Sequence, residues 1–192
     1  YLWRHKYGGK PVVGDAPGPE ALEIGSILHV LLAIRYMLRL DPNYPLTPET
    51  ALEYLRLTAP VTPDYLSKAQ ALFEGYCVWW HDESWMTVLA VEELAVDPRT
   101  GASCRWDLVF RVNEAIDGLF PGVYVCNHKS ASDNGMVTRE QWKNDGQILG
   151  EVNLYQDLGY HRRWGALRGA CINLIIKTQN PQYVRSWVFP PK

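Results

Sequence analysis

The 192-residue chain contains no apolar run near the roughly 18 residues that a membrane helix needs. No secretory leader pattern is visible in it either. Neither sign of charge is in excess. Nineteen Lys and Arg against 21 Asp and Glu leave a net charge of −2, which excludes a polybasic nucleic-acid coat. Cysteine is scarce. Cys77, Cys104, Cys126 and Cys171 include no C-x-x-C pair, which argues against a zinc ribbon and against a dense secreted disulfide framework. Four buried thiols in a reducing compartment are the expectation. Glycine-rich phosphate loops are missing too. There is no G-x-G-x-x-G, no Walker loop and no G-x-S-x-G, so dinucleotide, P-loop and serine-hydrolase chemistry find no support. No internal repeat or low-complexity tract is present.

What the chain does hold is apolar mass and aromatic rings. It is 47% hydrophobic, with eight Trp and eleven Tyr, enough for one folded domain with a full core. Charge is unevenly spread. Residues 1–97 carry 7 basic and 13 acidic side chains, whereas 98–192 carry 12 basic and 8 acidic. The second half could therefore build a basic face for an acidic partner.

Helical grammar dominates residues 1–84. Pro19-Glu20 opens an apolar run through Leu22–Leu40, stopped by Asp41-Pro42. Because that run is apolar nearly all round, it should be buried. Thr47-Pro48-Glu49 and Thr62-Pro63-Asp64 read as N-cap, Pro at N1 and acid in the first turn, starting helices near 48–58 and 63–81. Residues 85–192 read as βββαββ. Strands are expected over Trp85–Asp97, Ala102–Asn113, Gly122–Lys129, Gly165–Lys177 and Tyr183–Phe189. A helix opens at the Thr138-x-x-Gln141 capping box and runs to about Tyr160. Short links make the first three strands an antiparallel meander, and the helix crosses over to the next strand. The fold class is α/β with an N-terminal helical segment.

Polar residues end two otherwise apolar strands. Alternation puts Asn127 and Lys129 on one face of the third strand, and Arg105, Asp107, Val109 and Arg111 on one face of the second. Burying such groups unpaired is costly, so they need a reason. An Asp107–Lys129 ion pair is one; a reaction centre is the other. On the first helix, Gly25 stands one turn before His29, a satisfied core histidine or a ligand.

The order G-x-x-x-H, C-R-W-D, N-H-K-S and then a helix carrying Gln147 resembles the RecB-like, phage-type exonuclease branch of the PD-(D/E)XK nuclease superfamily. The matching segments are Ala21–Ala33, Val91–Asp97, Arg105–Arg111, Gly122–Ser132 and Asp145–Tyr160. The resemblance implies a restriction-endonuclease-like core and a single nuclease domain over residues 1–192. It implies a metal-dependent DNA nuclease of repair or recombination, acting on DNA ends or single strands in the cytoplasm of a prokaryotic or phage-infected cell. A homo-oligomer or a recombination partner protein is compatible with it. It also implies roles. His29, Asp107, the side chain at Asn127 and the backbone carbonyl of His128 would hold one or two Mg²⁺ or Mn²⁺. Lys129 would manage the attacking water, and Gln147 would orient DNA or the active-site strand. Arg105, Lys143, Tyr155, Arg162 and Arg163 would contact DNA, with Arg168, Lys177 and Arg185 on the approach. Trp142, Trp164 and Trp187 would either stack on bases or fill the core.

The chain departs from the pattern in three ways. No cysteine precedes Cys77 or follows Cys171, so no iron–sulfur cluster is expected. Asn127 stands where the pattern has Asp or Glu, which should weaken the metal site and inactivate this form; restoring Asp should raise activity. Glu151 stands where Q-x-x-x-Y has its tyrosine, and the nearest tyrosine is Tyr155. Glu92 and Glu93 read as solvated. A DNA-binding protein of nuclease fold without catalysis is the alternative reading.

Overall fold

The computed structural model describes residues 19–58, 61–116, 118–131 and 146–189. Three helices come first: α1 (Pro19–Leu40), α2 (Pro48–Thr58) and α3 (Pro63–Trp79). Helix α1 buries Ile24, Ile27, Leu28, Leu31 and Leu32 against Leu66, Ala69, Leu72, Phe73 and Tyr76 of α3. An exposed stripe at Ser26 and Val30 tempers the expected all-round burial. Thr47 caps α2 by accepting the Thr50 N–H at 3.3 Å. Thr62 takes the extended N-cap conformation but makes no side-chain cap bond, so Pro63 carries that helix start.

The strands are β1 (Met86–Val96), β2 (Ser103–Val112), β3 (Gly122–Ala131), β4 (Leu167–Ile176) and β5 (Gln182–Val188), in the spatial order β1-β2-β3-β4-β5. All neighbours are antiparallel except β3 and β4, which run parallel. A parallel pair needs a crossover. Helices α4 (Gly146–Asp157) and α5 (His161–Trp164) lie on it. The expected meander and crossover are therefore present. The Thr138–Gln141 capping box lies outside the described residues.

The sheet separates two cores. On one face, Val109, Val123, Val125 and Ile172 meet Ile148, Val152 and Tyr155 of α4. On the other, Leu108, Phe110, Tyr124 and Cys126 meet Tyr36 of α1. Cys126 and Cys171 face each other across β3 and β4 and are buried; Cys77 and Cys104 are only half-buried, and all four are free thiols.

A buried ionic cluster ties α1 to the loop before β1. Glu83, 3% exposed, accepts from Arg39 at 2.6 Å, from Arg35 at 3.1 Å, from Tyr36 Oη at 2.9 Å, and from Arg185. Arg185 was expected on a DNA approach. Its side chain is only 6% exposed and sits over the Trp80 ring at 4.0 Å, so it is a core residue. Burial alone would raise the Glu83 pKa, but Arg185 and Arg35 overcome it and hold the carboxyl below its usual range. A lowered acid contributes stability at neutral pH that is lost as pH falls through its folded-state value.

Glu83→Ala should cost about 3–5 kcal/mol, because it leaves the Arg185 charge buried without its counter-ion. Urea unfolding near neutral pH measures this. Part of the native chain's acid-induced loss of stability should be absent from the variant.

Candidate active site at the parting of β2 and β3

The β2–β3 ladder ends at Leu108↔Cys126. One more step would set Asp107 opposite Asn127. Instead the strands part, and Asp107 Oδ2 accepts the backbone N–H of His128 at 2.6 Å. Alternation on β2 breaks at this point. Trp106 packs on the α4 side against Tyr155, Tyr160 and Trp164, yet Leu108, two residues on, packs on the α1 side. The expected shared face of Arg105, Asp107, Val109 and Arg111 therefore does not hold. A matching irregularity lies across the β1–β2 ladder. Between Val91↔Leu108 and Glu93↔Trp106 stands Glu92, whose φ of 53° is the only positive value on a non-glycine among the described residues. Such a residue costs of order 1–3 kcal/mol and persists where its surroundings hold it.

Helix α1 brings the imidazole. His29 Nδ1 lies 3.7 Å from Asp107 Oδ2, and its side chain is 40% exposed, so it is not a satisfied core histidine. Gly25 explains the approach. A Cβ there would stand 3.1 Å from Ser130 Oγ, so glycine lets α1 lie close against the end of β3. His128 points the other way. Its ring is buried, stacks on Tyr36 at 5.7 Å and contacts Asn173 Nδ2 through Nδ1 at 2.8 Å. Burial first, helped by the nearby charges of Arg185 and Lys129, pushes its pKa well down, so the ring stays neutral. Only the backbone of His128 takes part in the site. Asn173 Nδ2 also donates to Tyr76 Oη at 2.9 Å, which joins the site to the Glu83 cluster.

Helix α4 closes the opposite side. Lys129 Nζ donates to Gln147 Oε1 at 3.3 Å, Gln147 Nε2 donates to Glu151 Oε1 at 2.9 Å, and Asn127 Nδ2 donates to Glu151 Oε2 at 2.5 Å. Asn127 and Lys129 do share a face, as alternation required. Glu151 is the residue that sequence reasoning missed. Its signal was the i, i+4 spacing from Gln147, which stacks both on one helix face.

The charge balance marks this place. Asp107, Glu92 and Glu151 all have raised pKa values, caused first by burial. Asp107 repels both of the others. His29, the His128 N–H, Lys129 and Arg105 offset only part of the burial of Asp107. Three acids whose ionised forms burial disfavours are thus gathered beside one lysine and one imidazole. Among the described residues, no three His, Cys, Asp or Glu side chains form a ready metal cage. Mg²⁺ and Mn²⁺ do not need one, because they keep several waters and take one or two carboxylates. The oxygen donors fit such a cation, and the chemistry of the set is hard-cation chemistry with one imidazole.

The expected DNA contacts divide. Arg105 and Arg163 are 60% and 62% exposed and pair with adjacent β1 residues, Glu92 at 3.7 Å and Glu93 at 3.1 Å. Glu93 is thus paired rather than merely solvated. Arg162 is exposed on α5. Tyr155 is fully buried, its hydroxyl donating to the Gly165 carbonyl at 2.8 Å, so it cannot touch DNA from that position. Trp164 is likewise core, and Trp187 packs on Phe110 and Tyr124. Lys143 and Trp142 lie outside the described residues. No helix of the described residues is long and apolar enough to cross a membrane. No family model matches the chain, and no curated protein or solved structure matches it.

A raised acid makes the folded state lose stability as pH rises from the unfolded value through the folded one. Asp107→Asn removes that penalty and keeps an acceptor for the His128 N–H. Without added metal it should stabilise the fold by about 1 kcal/mol at neutral pH, in the range of typical stabilising changes at functional sites. The gain should shrink as pH falls and the native carboxyl protonates. Urea midpoints across pH read both.

Proposed function

We propose that the chain is a metal-dependent nuclease with a restriction-endonuclease-like core, hydrolysing phosphodiesters at DNA ends or in single strands. One observation carries this reading. At the point where β2 leaves β3, a buried carboxylate, an imidazole, a lysine and a helix glutamine converge. Perturbed acids beside a lysine at an opened strand edge are what a phosphoryl-transfer centre requires.

Asp107 and His29 are the groups that would hold Mg²⁺ or Mn²⁺. When bound, such a cation neutralises phosphate charge and makes a nearby water more acidic. Asp107 is aimed by the His128 N–H and does not swing freely. Lys129, held by Gln147, presents an ammonium beside the reacting phosphate, where it stabilises the negative charge that develops as water oxygen attacks phosphorus and the P–O ester bond breaks. Arg105 and Arg163 carry exposed guanidiniums along the β1 edge of the site. Their surface ion pairs are worth little, so a phosphate backbone can exchange with Glu92 and Glu93 for them. The competing reading, a DNA-binding protein without chemistry, draws on the neutral amide of Asn127.

Digestion of end-labelled single- and double-stranded DNA, with Mg²⁺ or Mn²⁺ and with chelator, tests the reading. Cleavage is expected only with metal, and Lys129→Ala should lower it by roughly 10²- to 10⁴-fold while leaving DNA binding in place. Salt-sensitive binding with no cleavage at any metal concentration would identify a binding module; absence of both refutes nucleic-acid function. Binding to a single strand should weaken steeply with salt, and charge reversal at Arg105 together with Arg162 should flatten that slope by about one phosphate contact for each arginine that meets the backbone.

A further inference from the structure

Asn127 is not an isolated loss. Its amide is 2.5 Å from Glu151 Oε2, and the same carboxylate takes Gln147 Nε2 at 2.9 Å through its other oxygen. Both oxygens of Glu151 are thereby aimed. The residue is only 1% exposed, and no lysine, arginine or histidine among the described residues forms an ion pair with it. Helix α4 thus delivers a buried carboxylate to the very position where the strand carries an amide. Its hydrogen-bond partners are both neutral amides and Lys129 acts on it only through space; a buried carboxylate without an ion pair is unfavourable, and it persists where a cation or proton completes it.

We propose that Glu151 is the second metal-binding carboxylate of this site, supplied from the helix in place of an acid at position 127, with Asn127 a positioning residue that holds it. The proposal rests on the nuclease reading above: the neutral amide is part of a working site, and the native chain cuts DNA as it stands. Asp at 127 in the native background would set two carboxylates against each other at hydrogen-bond distance. They would share one proton and gain no affinity. Moving the charge back to the strand requires removing it from the helix.

The test is Mn²⁺ binding to the full chain, followed by the paramagnetic signal of free Mn²⁺, alongside cleavage of end-labelled single strands. Glu151→Gln keeps the shape and should weaken Mn²⁺ binding at least about tenfold, with cleavage falling alongside. The double variant Asn127→Asp with Glu151→Gln should recover both, a rescue that a merely structural role for either residue would not produce. Circular dichroism and melting curves establish that each variant is folded. If Glu151→Gln does not fold, Glu151→Asp takes its place, with the charge kept but drawn back and an intermediate affinity expected. Unchanged Mn²⁺ binding in Glu151→Gln, or an Asn127→Asp single variant that binds and cleaves more than about tenfold better than the native chain, overturns the proposal while the nuclease reading stands. A native chain that binds no Mn²⁺ and cuts nothing overturns the nuclease reading itself.

Discussion

The hydrogen bond from the His128 amide to Asp107 is the contact on which the rest depends. It exists because β2 and β3 stop pairing one residue earlier. Had the ladder continued, that amide would have met a backbone carbonyl of β2, and Asp107 would have been one more side chain on a closed sheet. By parting there, β2 frees the end of β3, which stays paired with β4 as far as Ala131. Asn127 and Lys129 are therefore held rigidly on one side and open on the other. Reactive groups placed on strands supported from one edge are positioned better than groups on loops.

Everything else around the site answers the charge of Asp107. Helix α1 reaches it because Gly25 lets backbone approach Ser130, one turn from His29. Helix α4 contributes Gln147 and Glu151, which join Lys129 and Asn127 of β3 in one hydrogen-bonded chain. Neutral partners orient a carboxylate without neutralising it. Burial raises the pKa of Asp107, Glu92 and Glu151, and the backbone of Glu92 takes a positive φ. The cluster around Glu83 lies next to the site. It clamps α1, through Arg35, Tyr36 and Arg39, to the start of β1, and it reaches the site through Tyr76 and Asn173.

The two ionic centres follow opposite rules. Glu83 is surrounded by three arginines and lowered in pKa, which suits a permanent structural lock. Asp107 has one lysine and one arginine acting on it among the described residues and is raised by its burial, which suits exchange with solution. Burial is similar in kind at both. The difference lies in how many guanidiniums the neighbouring elements supply.

Periodicity and punctuation made most of the fold legible in the sequence: helix starts at Pro19, Pro48 and Pro63 and the five strands follow from patterns within a single element. So does the pairing of Asn127 with Lys129 on one face, since alternation is a local property of β3. His29 was legible as a candidate because Gly25 stands one turn before it. What the tertiary structure alone decided is which side chains meet. Trp106 and Leu108 face opposite cores because β2 twists where it leaves β3, and no local pattern encodes that parting. Arg185 and Tyr155 carry the chemistry of surface contacts but are buried, because Glu83 and the Gly165 carbonyl satisfy their polar ends. Glu151 read as a departure from a motif, since a residue's role toward Asn127 depends on how α4 crosses β3, a distance between elements far apart in the chain that sequence spacing does not contain.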